Sequence, residues 1–184
     1  MKKIKLNGWS ENAAWDNSKN LEILYKKRCQ KKIEEMTCHS QLTSIIKKNF
    51  KKGETLLDVG CGSGYLYHSL VKNKLNIKYY GIDASKKLLE IGKKYLPKYG
   101  LSSDRLIHSR FEDLSTYFDH IVCINVLTYH DNILKPLDIF LKYAKKSVIL
   151  RESISNKSTF KYVKDNYLNK GVNIKTYINT YDSE

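Results

Sequence analysis

Three glycines at alternate positions, Gly60, Gly62 and Gly64, directly follow a short apolar run. The apolar residues before them predict a buried strand and the amphipathic residues after them predict a helix, so the glycines occupy a tight turn. Glycine lets the backbone approach a ligand closely, and a helix start offers free N–H groups with a partial positive charge. This arrangement predicts a site for an adenosine-like cofactor.

The spacing of the glycines differs from the fingerprint of dinucleotide-binding proteins, which is Gly-x-Gly-x-x-Gly. Tyr65 occupies the position of the third glycine in that fingerprint. Asp58, just before the turn, would repel a pyrophosphate but suits a ligand that carries an ammonium group. Both residues therefore argue against a nicotinamide-dependent dehydrogenase.

Asp83 stands at the carboxyl end of the next expected strand. In a doubly wound sheet this end lies beside the first turn, where a carboxylate can accept hydrogen bonds from both ribose hydroxyls. The same carboxylate would repel a 2′-phosphate. Asp83 therefore predicts a cofactor whose ribose carries no phosphate at that position.

The chain resembles the class I S-adenosylmethionine-dependent methyltransferases in residues 57–64, 81–85 and 119–127. The glycine turn, with Asp83 at the correct offset, is the strong part of this resemblance. It implies S-adenosyl-L-methionine as cofactor and S-adenosyl-L-homocysteine as product. It also implies an α/β fold with a doubly wound, mostly parallel sheet of the Rossmann-like methyltransferase type, preceded by N-terminal helices.

The resemblance assigns parts of the cofactor to the ends of the strands. Asp58 acts near the methionine ammonium group through a water, and Asn125 offers its backbone carbonyl to the same group. Asp83 holds the ribose, and Ala84 lies on one face of the adenine. The turn borders the methionine portion with Gly60, Cys61 and Gly62.

Two tryptophans, Trp9 and Trp15, precede the first expected helix in an otherwise polar segment. Tryptophan buries a large apolar surface, so each ring must pack against something. By resemblance to the family, the N-terminal segment forms a flap over the cofactor with Trp15, Tyr25 and Arg28 near it. A helix that simply docks on the sheet is the alternative for Tyr25.

The segment around Arg110 should complete the adenine site, and here the chain departs from the family. Many members have an aspartate at this position to accept from the adenine amino group, whereas arginine cannot accept a hydrogen bond. Phe111 can still pack on the ring and donate its backbone N–H to a ring nitrogen. Glu112 is the candidate replacement acceptor, and an acidic pair with Asp113 that starts a helix is the alternative interpretation.

The loop after Asn125 should lie beside the transferred methyl group. A hydroxyl acceptor benefits from a general base, and His130 stands at a strand end with a suitable side chain. Tyr129 is the other candidate for catalysis or substrate contact, and pairing of His130 with Asp131 is the structural alternative. The loop lacks the Asn-Pro-Pro-Tyr sequence used on nucleobase amino groups, and the chain lacks a Pro-Cys nucleophile.

The 184 residues suffice for one domain with a sizeable core and are too few for two. We divide this domain into an N-terminal helical cap (1–52), a cofactor-binding core (53–152) and a C-terminal segment (153–184). Without an apolar signal region or a stretch of ~20 apolar residues, the sequence predicts a cytoplasmic protein with no membrane partner. Four cysteines stand singly, which predicts no metal site.

The formal net charge of +14 raises the question of a nucleic-acid partner. The lysines are spread evenly along helix faces and turns and do not form one block. We therefore favour a solvated basic surface over a patch that follows a phosphate backbone. A nucleic-acid partner stays a disfavoured alternative.

Hydrophobic periodicity predicts two helices ahead of the sheet, one over 18–35 and a second capped by Thr37. Strands and helices then alternate, which is typical of a parallel sheet with helices on both faces. The expected strands are 55–59, 78–82, 105–108, 120–125 and 147–150, and the expected helices between them are 64–72, 85–96 and 132–143.

The tail predicts a helix over 159–168 and a strand over 172–180. Members of the family normally continue with another helix and a last pair of strands. Two alternatives stay open: a C-terminal truncation, or replacement of these elements. Arg151 and Glu152 follow the fifth strand on the cleft side, where they can touch substrate or begin a loop in solvent.

The sequence thus predicts a methyltransferase that acts on a small polar molecule at oxygen or nitrogen, with a sugar or related metabolite as the candidate class. An RNA or protein methyltransferase is the alternative among enzymes, and it requires the lysines to converge on the cleft. A non-catalytic partner subunit that binds the cofactor is the alternative outside enzymes. The sequence makes no prediction about oligomeric state.

Overall fold

Five parallel strands form the central sheet of the chain. The computed structural model describes residues 13–130, 132–163 and 176–182. The strands are β1 (Thr55–Val59), β2 (Lys78–Asp83), β3 (Leu106–His108), β4 (Phe118–Ile124) and β5 (Ala144–Arg151). Their order is β3–β2–β1–β4–β5, and every neighbouring pair is parallel. Because the order reverses between β1 and β4, the carboxyl ends of these two strands border a crevice.

Helices precede and separate these strands. The Ser18 hydroxyl caps the first long helix by accepting the N–H of Leu21 at 3.3 Å, and Ser85 caps the helix after β2 through Leu88 at 3.2 Å. The helices are α1 (Ala13–Asn17), α2 (Lys19–Cys29), α3 (Thr37–Asn49), α4 (Leu66–Lys72), α5 (Lys86–Tyr95) and α6 (Leu134–Tyr143). None of the helices within the described ranges is long and apolar enough to cross a membrane.

The structure corrects two predictions for the N-terminal helices. The helix expected over 18–35 ends at Cys29, and Lys31 has a φ of 57°, a left-handed conformation that stops a helix. Thr37 does not cap the second helix, because it is already the first helical residue. Met36 occupies the cap position and makes no side-chain capping bond.

Both faces of the sheet are covered by apolar packing. Leu56 and Leu57 of β1 are fully buried and point to opposite faces, as neighbouring residues of a strand do. Leu56 packs with residues of α2, α3, α4 and α5, whereas Leu57 packs with Phe140 of α6. The prediction of a doubly wound, mostly parallel α/β sheet is therefore confirmed.

A second, three-stranded sheet replaces the helix that was expected in the tail. Its strands are β6 (Ile154–Ser155), β7 (Thr159–Val163) and β8 (Thr176–Asp182), in the order β6–β8–β7. The helix prediction is wrong over 159–163, because β7 is rich in β-branched and aromatic residues and pairs antiparallel with β8. The remainder of that prediction, residues 164–168, and the first part of the strand predicted over 172–180 lie outside the described residues.

A polar network closes the amino end of the sheet, opposite the crevice. The Glu54 carboxylate accepts from Lys146 Nζ and, at 2.8 Å, from Nε2 of the buried His120. Lys146 also lies 3.2 Å from Asp119, which accepts the N–H of Thr55 at 2.9 Å. The Lys146 ammonium holds the pKa of Glu54 at about 2, and the Thr55 N–H holds that of Asp119 at about 2.

This network should make the protein sensitive to acid. Glu54 has a folded pKa below its ordinary 4.5, so its stabilising contribution is present above pH 4.5 and is lost as the pH falls towards 2. We expect Glu54→Gln to lower the thermal midpoint at pH 7 and to flatten its decline between pH 4.5 and 2. The exposed Glu90→Gln is the control, and an equally steep decline in Glu54→Gln would contradict the prediction.

Candidate functional site

A cleft of about 320 Å³ opens at the carboxyl ends of β1, β2 and β4. Its size falls within the range of small-molecule sites. Gly62 does not line it, because the ring of Tyr25 lies directly over this glycine. The other residues that the sequence predicts for the site all line the cleft: Trp15, Asp58, Gly60, Cys61, Asp83, Ala84, Phe111, Glu112, Asn125, Tyr129 and His130.

The glycine turn has no room for side chains. Gly60, Gly62 and Gly64 all have positive φ, at 70°, 59° and 73°. A Cβ on Gly60 would lie 2.2 Å from Cγ2 of Val126, and one on Gly62 would lie 2.3 Å from Cε1 of Tyr25. The left-handed backbone and the close neighbours together explain why glycine recurs at these positions.

A further glycine, Gly92 of α5, lets that helix pack against the turn. A Cβ here would lie 2.2 Å from the backbone oxygen of Ser63 and 2.6 Å from Cδ1 of Leu106. We expect Gly92→Ala to destabilise the protein by about 2 kcal/mol, because the overlap outweighs the ~1 kcal/mol gained in helix propensity. The thermal midpoint should fall by about 6 °C.

Gly53 offers a matched control for this substitution. A Cβ at Gly53 meets nothing within 4 Å, so Gly53→Ala adds only the strain of its φ of 86°, which is worth about 1 kcal/mol. Thermal unfolding of both variants separates overlap from backbone strain. If Gly92→Ala proved at least as stable as Gly53→Ala, the close packing of α5 on the turn would not limit stability.

Asp83, the last residue of β2, braces the glycine turn. Its Oδ2 accepts the N–H of Gly62 at 2.6 Å, and its Oδ1 accepts the N–H of Ser85 at 2.7 Å. Burial raises the pKa of this carboxyl to about 6. Each oxygen of a carboxylate can accept more than one hydrogen bond, so Asp83 can hold the turn and still accept from a diol in the cleft.

Asp58, on β1, is a buried carboxyl that faces the same cleft. Its Oδ2 accepts the hydroxyl hydrogen of Tyr79 at 2.7 Å. Burial raises the pKa of Asp58 to about 7; the Tyr79 hydrogen bond opposes this rise and the charge of Asp83 adds to it. A cation bound in the cleft would favour the ionised form of this group.

The cleft is also lined by Phe111, which is buried, and by the Arg110–Glu112 pair. The guanidinium of Arg110 donates to both carboxylate oxygens of Glu112, at 3.1 and 2.9 Å. Glu112 therefore has a partner in Arg110 and also lines the cleft. A short 3₁₀ helix, Phe111–Asp113, contains the acidic pair, as the alternative interpretation expected, and the role of Glu112 as adenine acceptor stays a prediction.

Tyr129 and His130 lie on the loop that follows β4. The Trp15 ring packs edge-on against Tyr129 with centroids 5.2 Å apart, and the His130 ring packs edge-on against Phe111 at 5.0 Å. The N-terminal segment therefore reaches the loop where the substrate is expected. Trp9, and Asp131 as a partner for His130, lie outside the described residues.

Asn125 connects β4 to this loop in a left-handed conformation, with a φ of 56°. Its N–H donates to the backbone oxygen of Arg151 at 2.8 Å, and the Arg151 guanidinium donates to its side-chain oxygen. A left-handed asparagine is less costly than most residues in this conformation. Arg151 thus braces the residue that turns the chain into the cleft.

Sequence reasoning missed the role of Glu152. Its carboxylate accepts the N–H groups of Val126, Leu127 and Thr128 at 2.9, 2.9 and 3.1 Å, and the Thr128 hydroxyl at 3.1 Å. The side chain therefore holds the backbone of the loop, and neither expectation, substrate contact or a loop start in solvent, described this. No local pattern signals the contact, because it joins residues 24 to 26 positions apart.

His39 is a further residue of the cleft that no sequence motif marks. It lines the cleft from α3, only 5% exposed, with its ring 4.7 Å from that of Tyr65. Burial lowers the pKa of His39 to about 4, so the ring is neutral at pH 7. Arg28 lies beside it, with its guanidinium 4.7 Å from the Tyr65 ring and a buried Nε for which the described residues supply no acceptor.

The cysteines show no sign of nucleophilic chemistry. Cys61 and Cys123 are buried, and this burial raises the pKa of both thiols well above the usual range. Cys29 is also buried, and its thiol donates to the Ser63 hydroxyl at 3.0 Å. Within the described ranges, no group of three or more His, Cys, Asp or Glu side chains could hold a metal ion.

Comparison with known proteins identifies the family of the chain. Residues 50–179 match the family described as a methyltransferase domain. A mitochondrial ubiquinone biosynthesis O-methyltransferase of Schizosaccharomyces pombe is 31% identical over 54% of this chain and 36% of its own length. A probable (S)-tetrahydroprotoberberine N-methyltransferase of Papaver bracteatum is 29% identical over 71% and 36%. The chain thus matches only about a third of these relatives.

Solved structures share the fold at low sequence identity. A magnesium protoporphyrin IX methyltransferase from Synechocystis with bound S-adenosylmethionine superimposes with a TM-score of 0.58 at 16% identity, covering 88% of this chain and 78% of that one. An S-adenosylmethionine-dependent methyltransferase from Clostridium acetobutylicum gives 0.53 at 18%, covering 78% and 63%. These likenesses establish the architecture of the sheet and helices.

Proposed function

Because the chain belongs to the class I S-adenosylmethionine-dependent methyltransferases, we propose that it methylates a small polar molecule at an oxygen or nitrogen atom. One observation carries this proposal: Tyr129 and His130 line the same cleft as the two buried carboxyls, Asp58 and Asp83. A cofactor held by the carboxyls would therefore lie next to the loop that can contact an acceptor. Trp15, packed on Tyr129, lines the cleft beside this loop.

The residues of the cleft fit S-adenosylmethionine. Gly60 and Cys61 of the turn line the cleft, and Asp83 can accept from a ribose diol. Asp58 is a buried acid suited to the ammonium group, and Arg28 has a buried Nε that lacks an acceptor among the described residues. We assign Arg28 to the carboxylate of the methionine portion, since a guanidinium pairs well with a carboxylate.

When bound, S-adenosylmethionine supplies a methyl group on a sulfonium that is already activated for displacement. The chain therefore has to align the acceptor and exclude water. Trp15 and Tyr129, which line the cleft in edge contact, are the candidates to exclude water beside the acceptor. His130 would accept the proton of a hydroxyl or amine acceptor at a ring nitrogen, with its ring oriented by Phe111.

The names of two relatives support a small-molecule acceptor that is methylated at oxygen or nitrogen. One is described as an O-methyltransferase of ubiquinone biosynthesis and the other as a tetrahydroprotoberberine N-methyltransferase. Both names specify small molecules. They support oxygen and nitrogen as the acceptor atoms to be tested, and a sugar or related metabolite remains our candidate class.

Label transfer tests the proposal directly. The protein is incubated with S-adenosylmethionine labelled in its methyl group and with three pools: polar small metabolites including sugars, bulk RNA, and bulk protein. We expect label in the metabolite pool. Transfer to RNA or protein alone would replace the proposal by its alternatives, and cofactor binding without transfer to any pool would favour a non-catalytic partner subunit.

The raised pKa of Asp58 predicts that cofactor affinity depends on pH. Burial holds this carboxyl partly protonated near pH 7, and a ligand ammonium group requires it ionised, so binding releases a proton. We expect affinity for S-adenosylhomocysteine to be about 30-fold weaker at pH 5.5 than at pH 8, because a group with a pKa of about 7 is almost fully protonated at the lower pH. Calorimetric titration should show a flatter profile for Asp58→Asn, and equal pH dependence in both proteins would rule Asp58 out.

A further inference from the structure

The loop of residues 126–130, here called the acceptor loop, is held from both sides of its backbone. The Glu152 carboxylate binds three consecutive N–H groups on one side. On the other side, the strand β8 in the tail supplies donors for the carbonyl groups of the acceptor loop. The Tyr181 hydroxyl donates to the oxygen of Leu127, and the Asn179 amide donates to that of His130.

These contacts from β8 join parts of the chain that are far apart in sequence. Asn179 lies 49 residues from His130, and Tyr181 lies 54 residues from Leu127. The same Tyr181 hydroxyl is also 3.3 Å from the His130 oxygen. The second sheet therefore contacts the acceptor loop from behind the side chains that line the cleft.

The burial of Asn179 indicates that its amide is present for hydrogen bonding. The residue is 0% exposed, and its Oδ1 has no partner among the described residues. Burying an amide costs free energy unless it makes hydrogen bonds, so packing alone would favour an apolar residue here. The bond to His130 is the contact that offsets this cost.

Tyr181 combines packing with the same function. It is 7% exposed and belongs to the apolar cluster that contains Leu127, Phe111 and Phe140. Its ring fills the space under the acceptor loop, while its hydroxyl reaches the loop carbonyl. A phenylalanine would fill the same space without the hydrogen bond.

We propose that Asn179 and Tyr181 are positioning residues, which fix the acceptor loop so that Tyr129 and His130 point into the cleft. Neither residue lines the cleft, so they act through the loop and not on the ligand. This inference rests on the proposed function, because it assumes that the loop receives the acceptor. Cofactor binding should be insensitive to both residues, since Asp58 and Asp83 are held by β1 and β2.

The test uses variants that keep the packing and remove the donor, Tyr181→Phe and Asn179→Leu. Thr180→Val is the matched control, because Thr180 lies between them on β8 and points to the opposite face. All are made in a Trp9→Phe background, so that the fluorescence of Trp15 reports its contact with Tyr129. Amide exchange of peptides covering 126–130, calorimetry with S-adenosylhomocysteine and thermal unfolding complete the measurements.

We expect exchange in the acceptor loop to accelerate by about tenfold in Tyr181→Phe, the loss of one hydrogen bond. Trp15 emission should shift to longer wavelength in both donor variants, with the S-adenosylhomocysteine affinity changed by less than about twofold. Unchanged exchange and emission would overturn the proposal, as would the same shift in Thr180→Val. A fall in thermal midpoint without these changes would show that both residues contribute only to packing.

Failure of the proposed function gives a different result. If the parent protein bound no S-adenosylhomocysteine, the methyltransferase account would fail. The exchange and fluorescence of the donor variants would still decide whether β8 positions the loop. Conversely, normal cofactor binding with an unresponsive loop would reject only the positioning role of Asn179 and Tyr181.

Discussion

Replacing Asp83 by alanine is expected to weaken the binding of S-adenosylhomocysteine by about 100-fold. The substitution removes the acceptors for two ribose hydroxyls, and hydrogen bonds to a charged group contribute about 1.5–3 kcal/mol each. It also leaves the N–H groups of Gly62 and Ser85 without their present partner. The loss should therefore appear both in calorimetric affinity and as a lower thermal midpoint of the free protein.

Two further variants separate these effects. Asp83→Asn keeps the shape and one acceptor oxygen, so we expect an affinity between that of the parent and that of Asp83→Ala. Asp104→Ala removes a carboxylate whose side chain is 74% exposed, and it should change neither quantity. If Asp83→Ala bound the ligand as tightly as Asp104→Ala, the assignment of Asp83 to the ribose would be wrong.

His130→Ala is expected to lower turnover by about 100-fold with an acceptor that must lose a proton, the lower end of the usual contribution of a general base. His130 lines the cleft, and its ring packs edge-on against Phe111. Its backbone is held by β8 independently of the ring. The substitution should therefore leave the loop in place and spare the affinity for S-adenosylhomocysteine.

The controls for His130 address its alternatives. His130→Gln retains hydrogen bonding without a basic nitrogen, so turnover as low as in His130→Ala indicates proton transfer. Recovery of the parent rate in His130→Gln would indicate a contact that only binds substrate. Tyr129→Phe tests the other candidate, and a large loss there with normal turnover in His130→Ala would move the catalytic role to Tyr129.

The sheet and the cofactor side of the site could be predicted from the sequence because their signals are local. Glycines at alternate positions indicate a turn with positive φ, and Gly60, Gly62 and Gly64 all have positive φ in the structure. Asp83 stands at the end of a strand. The helix that follows, which Ser85 caps, marks in the sequence where that strand ends. Short apolar strands separated by helices allow few topologies, so the parallel arrangement of the strands could be predicted as well.

The tail and the support of the acceptor loop could not be predicted, because they depend on contacts distant in sequence. The pattern of Thr159–Val163 was interpreted as helical, but pairing with Thr176–Asp182 makes it a strand. Glu152 is an acidic residue after a strand, and only the folded chain shows that it accepts three loop N–H groups. Tertiary contacts of this kind override local preference.

The Arg110–Glu112 pair illustrates an intermediate case. The sequence showed that Arg110 cannot serve as the usual acceptor for the adenine amino group. In the structure the guanidinium donates to both carboxylate oxygens of Glu112, and Glu112 lines the cleft. The Glu112 carboxylate, two residues after Arg110, stays our candidate for the adenine acceptor.

The central claim, that this cleft binds S-adenosylmethionine, is tested most directly by calorimetric titration of the parent protein with S-adenosylhomocysteine. We expect saturable binding of one ligand per chain with a Kd of about micromolar order, close to −8 kcal/mol. No heat of binding with ligand at about 1 mM, from protein shown to be folded, would contradict it.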